Sequence, residues 1–155
     1  MSGPSRFHDG GAFCKAVPLA VISLTAGGTG DNTEAISSYI DVRGYCSAKL
    51  VLMAKSSITA AKVLNVTAAL KDATDTSGTG AAAYGSGVTS KQMDAGAVTN
   101  NLTVMELDYD LAGCRGFIAS DITPDLTASG TDTSTINVLL ILFGAAEQPS
   151  TARAN

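Results

Sequence analysis

Residues 62–71 read Lys62-Val63-Leu64-Asn65-Val66-Thr67-Ala68-Ala69-Leu70-Lys71. Leu64, Val66, Ala68 and Leu70 fall on one side of an extended chain, while Asn65, Thr67, Ala69 and Lys71 fall on the other. Side chains of a strand point alternately to its two faces, so this period of two predicts a β-strand with one face buried. The same texture continues outward in both directions, interrupted by glycine- and threonine-rich loops, with no amphipathic helical pattern between them. Toward the N-terminus it predicts strands over 15–25, 34–42 and 45–55, and toward the C-terminus over 88–93, 101–109, 115–123 and 135–143.

Two of these strands carry more than a simple alternation. Residues 16–24 are apolar on both phases and follow Lys15, as in the apolar region of a secretion signal, but Pro18 interrupts the run and Asp9 lies where basic residues belong. The stretch therefore reads as a nearly all-buried strand. Residues 135–143 form a near-continuous run of Ile, Val and Leu, which predicts a central strand buried on both faces. The segment 73–88 is rich in Gly, Ala, Ser and Thr, with Tyr84 its one large side chain, and is predicted as a surface loop. Residues 124–134 read as a second polar loop.

Eight strands with long loops and no helix define an all-β chain, an antiparallel β-sandwich of jelly-roll type; an immunoglobulin-like strand order would give the same local pattern. The chain divides into an N-terminal arm (1–12), a sandwich domain (13–144) and a C-terminal tail (145–155). A faint internal echo links Arg43-Gly44-Tyr45 to Arg115-Gly116-Phe117, as though two related strand pairs faced each other across the sandwich.

At 155 residues the chain fits one domain, which buries roughly 70% of the surface its unfolded form exposes. Charged residues make up 15% of it, below the roughly 25% usual for soluble domains, which points to an oligomer. A formal net charge of −4, with the ten basic residues scattered, argues against nucleic acid as a partner. No apolar run approaches the roughly 20 residues of a membrane helix. Cys14, Cys46 and Cys114 are odd in number and widely spaced, so no zinc ribbon or C-x-x-C redox motif is present, and buried free thiols are expected.

Catalytic constellations fail one by one, and neither an enzyme nor a cofactor is expected. The one histidine, His8, lies in the arm, where nothing fixes its geometry beside a nucleophile. Gly27-Gly28-Thr29-Gly30 lacks the Lys-Ser/Thr and the following helix of a phosphate loop. Asp108 and Asp110 share a strand face with Asp121 on a neighbouring segment, but a calcium ion takes six to eight oxygens and no dense acidic loop supplies them, so no metal is expected. Aromatics are 5% of the chain and Trp is absent, which disfavours a sugar-stacking platform. What remains is contact chemistry. Arg43 and Arg115 are each able to hold a partner carboxylate, although a turn arginine more often caps a local carbonyl. Arg6 and Phe7 in the arm and Arg153 in the tail are candidate contacts with a neighbouring subunit.

The succession Tyr39-Ile40-Asp41-Val42-Arg43-Gly44-Tyr45, an alternating strand, a Gly-rich loop, Leu111-Ala112-Gly113-Cys114-Arg115-Gly116-Phe117 and a final strand over 136–144 resembles the small structural proteins of tailed bacteriophages that decorate the capsid. The likeness runs over roughly residues 34–149. It implies a non-catalytic decoration or cement protein on the capsid exterior, assembled in the host cytoplasm, with the phage major capsid protein and copies of itself, as a homotrimer, for partners. The long 73–88 loop and the extra cysteines depart from the simplest pattern. They leave open a receptor- or glycan-binding sandwich of a spike or tail.

Overall fold

The computed structural model describes residues 14–59, 61–127 and 130–144. Nine strands appear in chain order: β1 (Cys14–Thr25), β2 (Ala35–Ile36), β3 (Ile40–Asp41), β4 (Ser47–Ile58), β5 (Val63–Ala73), β6 (Ala82–Ala95), β7 (Val98–Asp110), β8 (Phe117–Leu126) and β9 (Thr133–Phe143). No helix occurs among the described residues. The first sheet has the order β1-β9-β4-β7; the second has the order β2-β8-β5-β6, with β3 also pairing β8. Every pairing is antiparallel.

The two short strands β2 and β3 act as one broken strand along the edge of β8, so the described residues form two sheets of four. The break falls at Ser37, whose amide donates to the Ser120 carbonyl at 3.0 Å and whose hydroxyl accepts from the Ser120 amide at 3.0 Å. Of the connections between these eight strands, only β5 to β6 stays within a sheet; every other one crosses the sandwich. That order is a jelly roll and excludes the immunoglobulin arrangement, in which three strands form one sheet and four the other.

The core lies between the sheets and is filled by one phase of each central strand. Leu50 and Leu52 of β4, Leu64 and Leu70 of β5, Ile118 and Ile122 of β8, and Ile136, Leu140 and Leu142 of β9 are fully buried. The predicted alternation of 62–71 is the one observed, with Leu64, Val66, Ala68 and Leu70 all facing inward.

Five expectations need correction. β1 is an edge strand with only Ile22 and Leu24 buried, because nothing pairs its outward side among the described residues. β9 is central but not buried on both faces: Asn137 is exposed, and Leu139 and Ile141 are half-covered. The loop predicted over 73–88 ends at Ala81, since backbone hydrogen bonding to β5 extends β6 through small residues that carry no apolar signal. The second polar loop likewise narrows, because β8 continues to Leu126 and β9 starts at Thr133. The Arg-Gly-aromatic echo does not face itself across the sandwich. Asp41 pairs with Phe117 in the same sheet, and the Val42 amide donates to the Gly116 carbonyl at 2.9 Å.

Candidate functional site

The register of the first sheet fixes which residues share its outer face. Reading across β1, β9, β4 and β7, the middle rows are Pro18, Leu139, Val51 and Glu106, then Val21, Asn137, Met53 and Val104. The row beyond holds Ser23, Thr135, Lys55 and Leu102. On the other side lie Ala16, Ile141, Lys49 and Asp108, followed by Cys14, Phe143, Ser47 and Asp110. Large apolar side chains here stand in water: Leu102 is 73% exposed, Val21 68% and Val104 55%, with Met53 and Phe143 also open. Sandwich strands ordinarily alternate apolar inward with polar outward, and contiguous apolar exposure of this kind marks an interaction surface.

Acidic charge on this face is confined to the β7 border, while the lysines Lys49 and Lys55 stand on β4 on either side of its middle rows. Lys49 donates to Glu106 at 2.9 Å and meets Asp108 at 3.2 Å. Those two hydrogen bonds hold its ammonium above the usual lysine range. With Asp110 one row away, the acids form a column along the edge strand β7.

The outer face of the second sheet is more polar, with Ile36 of β2 and Val88 of β6 its exposed large apolar side chains among the described residues. Its rows across β8, β5 and β6 are Asp125, Asn65 and Gln92, then Thr123, Thr67 and Ser90. Lys71 of β5 bridges Glu34 at 2.7 Å and Asp121 at 3.0 Å. Hydrogen bonds to both carboxylates raise the lysine, and the Lys71 contact lowers Glu34.

The two arginines lie at one end of this second sheet and are engaged within the chain. Arg115 grips Asp72 with two guanidinium nitrogens, at 3.0 and 2.5 Å, and donates to the carbonyls of Gly80 and Asp72 at 2.7 Å each. It thereby ties the β5–β6 loop to the start of β8. Asp72 is buried, and the hydrogen bond from Arg115 holds its carboxyl below the usual range in spite of that burial. Arg43 forks onto Asp41, lowering it, and lies over the Phe117 ring with its guanidinium carbon 5.0 Å from the centroid. Gly116, at φ +105°, is required here, because a Cβ would come within 3.0 Å of the Arg43 side chain.

Other sequence candidates are scattered. Asp108 and Asp110 sit on the outer face of β7 in the first sheet, whereas Asp121 is in the second sheet with Lys71, so the three carboxylates do not converge. Among the described residues no group of three or more His, Cys, Asp or Glu could hold a metal ion. The thiols correct the expectation of burial: Cys14 and Cys46 are exposed, and only Cys114 is half-buried, with its thiol pushed up by burial. Arg6, Phe7, His8 and Arg153 lie outside the described residues.

No protein-family model matches this chain, and no curated protein matches it. Solved structures do. The chain is similar to infectious bursal disease virus VP2 in its subviral particle, at 12% identity and a TM-score of 0.50, over 90% of this chain and 35% of that one. It also aligns with the Gt strain of the same virus, at 14% identity and a TM-score of 0.47, over 88% of this chain and 35% of that one. The chain spans about a third of the length of these structures. The likeness to VP2 is one of fold, and it defines the class: a two-sheet jelly roll.

Proposed function

We propose that this protein is a virion structural protein, and specifically a decoration or cement protein bound to the outside of a tailed-phage capsid. The observation that carries this reading is the apolar outer face of the β1-β9-β4-β7 sheet, an assembly surface on a domain whose polar groups are mostly paired with one another. Two further facts support it. A protein of a subviral particle shares the fold, and the motifs around Arg43 and Arg115 resemble those of small phage structural proteins. The role is non-catalytic, and the partners are the major capsid protein and further copies of this chain.

The physics of such a role is simple. A rigid sandwich lying across two or more shell subunits adds contact area that must be broken before they separate, and a specific contact needs about 1,000 Å² or more. An oligomer that grips several subunits at once gains effective concentration, so modest contacts sum to near-permanent attachment. Arg6, Phe7 and Arg153 are proposed as grips on the shell. Arg43 and Arg115 instead brace the domain that carries those grips.

The polar rows of the second sheet favour one alternative, a receptor- or glycan-binding domain of a spike or tail, because Asn65, Gln92 and Asp125 offer a row of hydrogen-bonding groups. Cryo-electron microscopy of particles carrying the protein separates the two. Density on the outer shell at capsomer junctions is the expected result, and density only at the tail tip overturns the decoration reading.

A further inference from the structure

We infer that the outer face of the β1-β9-β4-β7 sheet packs against the same face of a second copy, about a two-fold axis running parallel to the strands. This rests on reading that face as an assembly surface and names its occupant.

Area is the first argument. With strands about 4.8 Å apart and same-face residues about 6.8 Å apart along each strand, four strands by five rows cover roughly 650 Å². Two such faces bury about 1,300 Å² together, which lies inside the range of stable, specific interfaces. Flat sheet faces pack on each other about 10 Å apart with strands nearly aligned, as the two sheets of a sandwich do.

Charge selects the axis. Face-to-face pairing allows a two-fold parallel to the strands or one perpendicular to them within the interface. The perpendicular axis lays β7 over the partner's β7, stacks Glu106 on its own copy and sets the carboxylates of Asp108 and Asp110 against the partner's Val104 and Leu102. The parallel axis lays β7 over the partner's β1, where the facing row positions are Cys14, Ala16 and Pro18, and sends the two acid columns to opposite borders. There they stay hydrated, and Lys49 already neutralises part of each. Under that axis Val21 meets the partner's Val104, and Leu139 meets the partner's Val51. These are apolar contacts in the middle rows, where hot-spot residues of an interface concentrate. A pair of this geometry differs from the trimer implied by the phage resemblance.

The test uses the full chain in analytical ultracentrifugation. Wild-type protein is expected at the mass of a dimer. Val21→Lys and Val104→Lys, each placed at a strongly exposed position, are expected to weaken association at least tenfold while leaving circular dichroism unchanged. The double variant Val21→Lys/Val104→Asp is expected to regain association, because each lysine then faces an aspartate across the axis. Thr67→Lys on the second sheet is expected to leave the mass unchanged. A monomeric wild type at about 0.1 mM, well above the micromolar-to-picomolar range of specific interfaces, overturns the inference. So does association indifferent to both lysines, or a double variant that fails to recover. Location is read separately. Particles carrying the protein as isolated monomers sink the pairing and leave the virion role standing, whereas a paired protein absent from particles does the reverse.

Discussion

The two outer faces of the sandwich share a backbone plan and one electrostatic fixture, yet the first exposes Val21, Met53, Leu102, Val104 and Phe143 where the second exposes mainly polar side chains beside Ile36 and Val88. Each carries a lysine braced between two carboxylates, Lys49 with Glu106 and Asp108, Lys71 with Glu34 and Asp121. The positions around them diverge. Beside its lysine the second sheet has Ala69, Ala83 and Ala119 and continues along the strands with Thr67, Thr123, Asn65 and Asp125, whereas the first continues from Ile141 beside its lysine to Val51, Leu139 and Met53. Threonine suits a strand about as well as valine does. Strand formation therefore does not require the exposed valines and leucines of the first sheet, whereas the proposed contact with another surface does.

The sharpest way to break this comparison uses two neighbours on β9. Leu140→Ala removes a fully buried side chain and is expected to cost about 3 kcal/mol in urea unfolding. Leu139→Ala, on the half-open outer phase, is expected to cost below about 1 kcal/mol in dilute protein and more where copies associate. Equal losses in dilute protein would mean that the first sheet's outer face is closed within the single chain.

Next in size is Asp72→Asn, which tests how far the second sheet's polarity reaches into its interior. Breaking a buried pair costs about 3–5 kcal/mol, and the partial exposure of Arg115 reduces this to roughly 2 kcal/mol. The Asp72 carboxyl sits below its usual range, so its stabilisation is present above about pH 4, the unfolded value, and is lost as pH falls through the lowered one. Wild-type and variant stabilities are therefore expected to converge under acid. A gap that persists unchanged at pH 2 would locate the effect elsewhere.

Smaller effects separate the faces by kind. Lys49→Met is expected to make the first face more apolar and tighten self-association, with little change in melting temperature. Lys71→Met is expected to lower melting slightly, because Glu34 and Asp121 lose their partner, and to leave association alone. Smallest is Thr123→Val, expected within about 0.5 kcal/mol of wild type and still unable to make the second face associate. Self-association gained by Thr123→Val would mean that one apolar residue suffices, and the contrast between faces would lose its meaning.

Much of the architecture was legible in residue order. The alternation of 62–71, the central place of 135–143 and the absence of helical period all correspond to observed elements. β6 was only partly legible, because Ala82, Ala83 and Gly85 present no apolar phase and are held as strand by backbone pairing with β5. The apolar outer face was written in the sequence but in an ambiguous form. Apolar residues on both phases of β1 and β9 signal either a core strand or an interface strand, and local pattern alone reads them as core. Asp72 offered a clearer signal that went unread. It continues the inward phase of Leu64, Val66, Ala68 and Leu70, and a carboxylate on a buried phase demands a cation, which Arg115 supplies. Which strands neighbour each other could not be read locally, since the crossings of a jelly roll join segments distant in sequence.

The register of β1 on β9 has a mechanical consequence. Cys14 lies opposite Phe143, so the first and last strands of the domain begin and end side by side at one border. Tension applied through both ends would load a single rung of the ladder at a time and peel β1 away like a zip. Load spread over a sheet face would instead strain many contacts together. A domain built this way withstands pulling best when its neighbours hold it broadside.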